Sequence, residues 1–326
     1  MFRKFLYPVS ILYGFGAIFR RFFYESGLKK KKYLPKKVIS VGNLSVGGSG
    51  KTPITIEIAQ YFQEKSLKPV VLSRGYKRKS KENTIFCNEN NNWQECGDEP
   101  YLMTLKGIKV VVGKDRYKSG VHLLEKDTVD IFILDDGFQH FQLFRDFDIL
   151  VVDATKPFWE DSLLPTGTLR EPKYFCKYAD CFVVNRFEFV EDKEKFLKTI
   201  QKYKKPFFFS HSKFYGIIDT QGTNYDMDFL KNKTVIVFSG LGNNRQFFHS
   251  VRKLAKEYSF NIESEISFSD HYDYKNFFPE KDKIYLTTEK DLVKLKNHKN
   301  MYALNYKTVL PKEFYNFMEE KLWKIR

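Results

Sequence analysis

Hydrophobic positions fall into distinct regimes along the chain. Across residues 5–19 there is no charge, and Ile11, Leu12, Phe15, Ile18, Phe19, Phe22 and Phe23 recur at helical period. Ser10, Gly14, Ala17, Arg20 and Arg21 occupy the rest of that wheel, and Pro8 suits a first helical turn. After Pro35 the pattern changes to short, continuous apolar runs at 38–41, 69–73, 108–112, 131–134, 147–152 and 181–184, with a helical stretch over 53–65. Runs that are apolar on both faces predict strands covered on both sides, as in a parallel α/β sheet. A second α/β set starts near Thr234, with a strand at 235–238, a loop at 239–244, a helix from Arg245 to about Tyr258 and a strand at 284–288. The expected organisation is an N-terminal amphipathic segment over 1–34, a first α/β domain over 35–206 and a smaller α/β domain over 207–304. The tail 305–326 is expected to return to the first domain.

The length of 326 residues agrees with two domains. A mean hydropathy of -0.45 excludes a polytopic membrane protein. The 15 uncharged residues near the start would make about 22 Å of helix, short of a ~30 Å hydrocarbon core. No small-x-small cleavage site follows them. Instead come Arg20, Arg21 and the run Lys29 to Lys32, so the segment reads as retained and cytoplasmic. An apolar stripe flanked by basic residues suits a helix lying in an anionic membrane surface, the alternative being a helix packed on the protein's own core.

Lys and Arg total 55 against 40 Asp and Glu, a formal charge of +15 that favours anionic partners without choosing among them. Cys87, Cys96, Cys176 and Cys181 show no CxxC pair and no zinc-ligand spacing, and read as four free thiols.

The chemistry concentrates in three motifs. Ser45-Val46-Gly47-Gly48-Ser49-Gly50-Lys51-Thr52 lies between a predicted strand and helix and fits GxxxxGK[ST], except that Ser45 replaces the first Gly. Backbone N–H groups of such a loop cradle phosphate oxygens, Lys51 adds charge at the β- and γ-phosphates, and Thr52 offers a hydroxyl to Mg²⁺. Asp135-Asp136 follows the apolar run 131–134, where a P-loop enzyme holds Mg²⁺, and mutual repulsion of the two carboxylates would be relieved by a cation. Both could instead cap a turn. Gly97-Asp98-Glu99-Pro100 places two acids before a helix: Asp98 is a candidate base for a hydroxyl acceptor and Glu99 a candidate metal ligand, with helix capping as the rival. His140 reads as a structural partner.

Together these blocks resemble the lipid A 4′-kinases, the tetraacyldisaccharide 4′-kinase family. The similar segments are Val41-Gly42-Asn43 leading into the loop, Ser73-Arg74-Gly75-Tyr76, Gly97-Asp98-Glu99-Pro100, Asp135-Asp136-Gly137-Phe138-Gln139-His140, and Leu164-Pro165 through Gly167 to Leu169-Arg170-Glu171. Further along, Gly240-Leu241-Gly242-Asn243, Phe268 with Asp270-His271, and Thr288-Glu289-Lys290-Asp291 complete eight blocks in order. Lys77 and Tyr272 depart from the family's commoner residues.

The resemblance implies a P-loop NTPase-like fold that uses ATP and Mg²⁺ to phosphorylate the 4′-hydroxyl of tetraacyldisaccharide 1-phosphate, giving lipid IVA. It implies Asp98 as base, His271 as the residue orienting it, Lys51 and Asp136 in catalysis, and Thr52, Glu99, Asp135 and Asp136 around the metal. Asn43, Arg74, Gln139, His140, Arg170 and Glu171 would line the cleft for the acceptor. A monomer working at the cytoplasmic face of the bacterial inner membrane is expected, with no nucleic-acid partner. Two rivals stand beside this reading. A P-loop GTPase would need Asn-Lys-x-Asp, and Asn232-Lys233-Thr234-Val235 lacks the Asp. A nucleic-acid-binding ATPase is compatible with the charge, but no matching motif is evident.

Overall fold

The computed structural model describes residues 6–295 and 298–323. Residues 1–5 of the expected N-terminal segment and 324–326 of the expected returning tail lie outside the described residues.

The chain opens with α1 (Tyr7–Glu25). Then come β1 (Lys37–Gly42), α2 (Lys51–Glu64), β2 (Pro69–Ser73), β3 (Thr84–Cys87), the short α3 (Trp93–Cys96), α4 (Asp98–Leu105), β4 (Lys109–Gly113) and α5 (Arg116–Leu124). β5 (Ile131–Asp135), β6 (Phe147–Asp153), β7 (Cys181–Asn185), α6 (Lys193–Gln201) and β8 (Phe207–Phe209) complete an eight-stranded sheet ordered β3-β4-β2-β5-β1-β6-β7-β8. All its neighbours are parallel except β3 against β4. A six-stranded sheet follows, built from β9 (His211–Asp219), β10 (Asn224–Tyr225), β11 (Thr234–Ser239), β12 (Asn261–Ser267), β13 (Ile284–Thr288) and β14 (Met301–Val309), in the order β10-β9-β14-β13-β11-β12. Its helices are α7 (Asn244–Glu257) and the single turn α8 (Glu289–Leu292), and α9 (Lys312–Trp323) ends the described chain.

The first sheet is buried on both faces, as its apolar runs require. Ile131 and Ile133 of β5 point to one side and Phe132 and Leu134 to the other, into separate clusters. The first side is covered by Ile54, Ile58 and Phe62 of α2 together with Phe314, Met318 and Leu322 of α9. β14 carries the second sheet on to Val309, and the helix that follows it packs on the first sheet. The change of sheet likewise falls at Ser210 rather than Pro206, since β8 pairs with β7.

The thiol expectation is corrected: Cys87 and Cys96 form a disulfide across nine positions, while Cys176 and Cys181 are free and buried. The turn between β3 and α3 folds back on itself, so the pairing needs no CxxC spacing.

No described helix is long and apolar enough to cross a membrane. In α1 the side turned to the protein is the polar one: Ser10, Gly14 and Arg21 are buried, whereas Ile11, Leu12, Phe15, Phe19, Phe22 and Phe23 are exposed. Arg21 was expected beside the apolar stripe at a membrane surface. It lies instead inside the protein, paired with Glu171.

Candidate active site

The Gly-rich loop leaves β1 at the centre of the first sheet, between β5 and β6. Gly50 caps α2 with φ 83°, a conformation that side chains rarely adopt, and a Cβ there would meet the Asn185 amide nitrogen at 2.3 Å. Asn185 at the end of β7 pins the loop by donating to the Ser49 carbonyl (2.8 Å). Its role was not expected, since nothing in the sequence links positions 136 apart. On the other side the segment 163–171 runs along the loop. Val46 N–H donates to the Thr168 carbonyl (2.8 Å), Arg170 N–H to the Leu44 carbonyl (2.7 Å), and Ser45 bridges Leu169. Gly47 and Gly48 face open space, so the free N–H groups at the start of α2 border a volume that an anion could fill.

Lys51 reaches back across the loop, with Nζ 3.2 Å from Asn43 Oδ1 and 3.6 Å from Asp136 Oδ1. Asp136 is held by Arg170 through two parallel bonds of 2.7 Å each, Nη1 to Oδ2 and Nη2 to Oδ1. Burial opposes its ionisation, but the Arg170 hydrogen bonds and the Lys51 charge outweigh burial and hold the carboxyl below the usual range. Asp135, beside it, differs. One oxygen accepts from Ser73 Oγ (3.0 Å) and the other has no hydrogen-bond partner. Burial, with the nearby charges of Glu99 and Asp136, pushes this carboxyl up to about 7.

Asp98 opens α4 and is buried, and its Oδ2 lies 2.7 Å from His271 Nδ1 across 173 positions of sequence. The pair that the resemblance implies is thus joined directly. Lys290 Nζ lies 3.3 Å from His271 Nε2. An ammonium only donates, so Nε2 accepts and Nδ1 carries the hydrogen that is donated to Asp98. Lys290 also pairs with Glu99 (3.1 Å), and the fully buried Lys294 sits 3.4 Å from Asp98. Burial disfavours the Asp98 anion, yet the His271 hydrogen bond and the Lys290 and Lys294 charges prevail and hold it below the usual range.

The second Gly-rich loop earns its place here. Gly240 N–H donates to Asp291 Oδ2 (3.0 Å), and the Gly240 carbonyl accepts from His271 N–H (3.2 Å), which fixes the imidazole in a residue of φ 61°. The Thr288-Glu289-Lys290-Asp291 block thus supports His271 from behind, a role the motif alone did not suggest.

The remaining expected residues divide. Asn43, Gln139, Arg170 and Glu171 form one hydrogen-bonded group, with Gln139 Nε2 donating to the Asn43 carbonyl (2.9 Å) and to Glu171 Oε2 (3.0 Å). Glu171 is buried against Arg21 and does not face an open cleft. His140 is packed against Arg116 (3.3 Å), and burial followed by the charges of Arg116 and Arg145 lowers its imidazole to about 3, so it is neutral. Arg74, after β2, is exposed. Among the described residues no three acidic, imidazole or thiol side chains converge as a ready-made metal cage.

Residues 2–323 match the family described as Tetraacyldisaccharide-1-P 4'-kinase. The chain is 44% identical to the tetraacyldisaccharide 4'-kinase of Aquifex aeolicus over 331 aligned positions, covering 100% of this chain and 98% of that protein. It is 34% identical to the enzyme of the same name from Pelobacter propionicus, covering 89% and 82%. A crystal structure of the Aquifex aeolicus LpxK in complex with ATP superposes with a TM-score of 0.84 at 41% identity, covering 99% of this chain and 100% of that one.

Proposed function

The chain belongs to the tetraacyldisaccharide-1-P 4'-kinase family, lipid kinases of lipid A biosynthesis that use ATP, and from that premise we propose how its residues divide the reaction. The first sheet with its Gly-rich loop is read as a P-loop NTPase-like domain, the second as a smaller domain that carries His271 to the site. The loop 45–52 cradles the ATP phosphates, and Lys51 moves from Asn43 and Asp136 onto the β- and γ-phosphates. Asp98 receives the proton of the acceptor's 4′-hydroxyl as that oxygen bonds to the γ-phosphorus and the bond to the β–γ bridging oxygen breaks, leaving ADP. Loose phosphoryl transfer releases this proton late, from an oxygen already bonded to phosphorus, so a carboxylate of low basicity is adequate. His271, through Nδ1–H, keeps the Asp98 carboxylate aimed.

Mg²⁺ fits the residues present. The orphaned Asp135 oxygen, crowded by the charges of Glu99 and Asp136, is the kind of site a hard cation satisfies, and Mg²⁺ takes its other ligands from phosphates and water rather than from a full protein cage. Thr52, Asp135, and Glu99 once freed from Lys290, would hold it, with Asp136 nearby. Bound there, the ion would neutralise charge on the transferring phosphoryl group.

The acceptor is a tetraacyldisaccharide 1-phosphate, and the product is lipid IVA. The exposed apolar face of α1 and the basic run after it support a peripheral seat on an anionic membrane, at the cytoplasmic face of the inner membrane, for a monomeric enzyme.

The observation that carries this reading is the Asp98–His271 bond, joining the two sheets beside a nucleotide loop. Purified protein given γ-labelled ATP, Mg²⁺ and tetraacyldisaccharide 1-phosphate in detergent should label the lipid. Release of inorganic phosphate without lipid labelling would reverse the conclusion.

A further inference from the structure

Arg21 lies near the C-terminal end of a helix whose outward face is apolar, yet it is 1% exposed. Its Nε donates to Glu171 Oε1 (3.2 Å) and its Nη2 to Glu171 Oε2 (3.4 Å) and the Phe138 carbonyl (3.4 Å). The guanidinium carbon lies 5.0, 4.5, 4.8 and 4.2 Å from the ring centres of Phe138, Phe141, Phe175 and Tyr178. A helix that served only as an anchor would seat more favourably on apolar contacts, because desolvating an ion pair offsets most of its attraction. What the pair supplies is direction. Glu171 is shared with Gln139, Gln139 also holds the Asn43 carbonyl, and Asn43 Oδ1 takes hydrogen bonds from Lys51 and Arg170.

A second route runs parallel to the first. Ser10 Oγ donates to the Leu163 carbonyl (3.2 Å) and Tyr13 Oη to the Arg170 carbonyl (3.1 Å), so α1 grips the segment 163–171 at both ends. That segment is the one paired with Leu44, Ser45 and Val46 at the Gly-rich loop. Both routes start on α1, from buried Ser10 and Arg21 and from the more exposed Tyr13, and end at the nucleotide loop.

We propose that Arg21 is a positioning residue for phosphoryl transfer: by clamping Glu171 it holds the segment 163–171 against the nucleotide loop, so that the seat of the N-terminal helix sets the placement of Lys51 and of the Asp136–Arg170 pair. This rests on the kinase reading of the site, and it assigns α1 a task beyond membrane attachment.

The test compares full-length wild type, Arg21→Met and Arg21→Lys in detergent micelles, measuring lipid-dependent ADP formation at saturating ATP and lipid. A small displacement of reacting groups from a remote change can cost up to about 100-fold, and Arg21→Met is expected to lower kcat by roughly 10–100-fold with a smaller change in KM for lipid. Arg21→Lys, which keeps the charge but loses the two-nitrogen fork, should recover part of that kcat. Wild-type kcat in a folded Arg21→Met protein, with KM for lipid raised instead, would show that the helix is an anchor alone and overturn the proposal. Should Arg21→Met fail to fold, Arg21→Lys decides: reduced kcat supports the clamp and undiminished kcat defeats it. Absence of lipid phosphorylation by the wild type would instead defeat the kinase reading, an outcome distinct from any difference among the variants.

Discussion

On the proposed division of roles Lys51 brings its charge to the transferring phosphoryl group, and Lys51→Ala should then lower kcat by about 10²–10⁴. Turnover near wild type would remove the loop from the reaction. On the same proposal Asp98 takes the proton and His271 aims it, one unit rather than two, so their losses should not add. Each alanine variant is expected to lose about 10²–10⁴ in kcat, and the double variant to be little worse than the poorer single one. Multiplicative losses, measured in the same assay, would mean the two act independently. His140 makes a different kind of prediction. Its imidazole is neutral when folded and titrates near 3, against 6.5 when unfolded, so the stability it contributes is present above pH 6.5 and is lost as pH falls toward 3. Chemical denaturation between pH 7 and 4 should show a shallower acid-side loss of stability in His140→Gln than in the wild type. Lys51 and Asp98 were legible as candidates because each sits in a short motif whose chemistry is local, whereas His271 was singled out by the resemblance alone. Arg21, Asn185 and Lys294 were not, since each acts on a partner far away in sequence, and neighbouring Asp135 and Asp136 gave no sign that Arg170 takes one of them.

At the level of elements, the strands that could be read were those buried on both sides. β2 and β5 are buried throughout and form unbroken apolar runs. β12, Asn261–Ser267, lies at the edge of the second sheet and spells NIESEIS, which has too few apolar positions to declare itself. β14 is half exposed and ends in Tyr-Lys-Thr-Val, and was read as the start of the tail. Helix α1 was legible as amphipathic, but the burial of its polar face was not, because that depends on Glu171 and four rings supplied by later segments. The same burial decides how membrane attachment should be tested. Deleting α1 would leave the buried Glu171 without the positive charge of Arg21, whereas Phe15→Ser with Phe19→Ser alters only exposed side chains. That double variant is expected to sediment less with anionic vesicles while keeping its melting temperature, and undiminished sedimentation would detach the exposed face from membrane binding.

For the molecule as a whole, the formal charge of +15 should make vesicle binding weaken as salt rises, since the Debye length falls from about 10 Å at 0.1 M to about 3 Å at 1 M. The two sheets were foreseeable from the renewed α/β pattern near Thr234; the crossing points at Ser210 and Leu310 were not, because neither carries a composition change. The second of these has a consequence for biosynthesis. α9 supplies Phe314, Met318 and Leu322 to the core beneath β1 and β6, so that face of the first sheet, covered in part by α2, is completed only after the strands of both sheets have been made. Replacing the fully buried Phe314 by Ala should cost about 3–5 kcal/mol, and a nascent chain halted before α9 should remain protease-sensitive in its first half despite holding all eight strands. α1, by contrast, comes before every strand of both sheets, so the residues of its outward apolar face are all made while the first sheet still lacks the helix that completes its core.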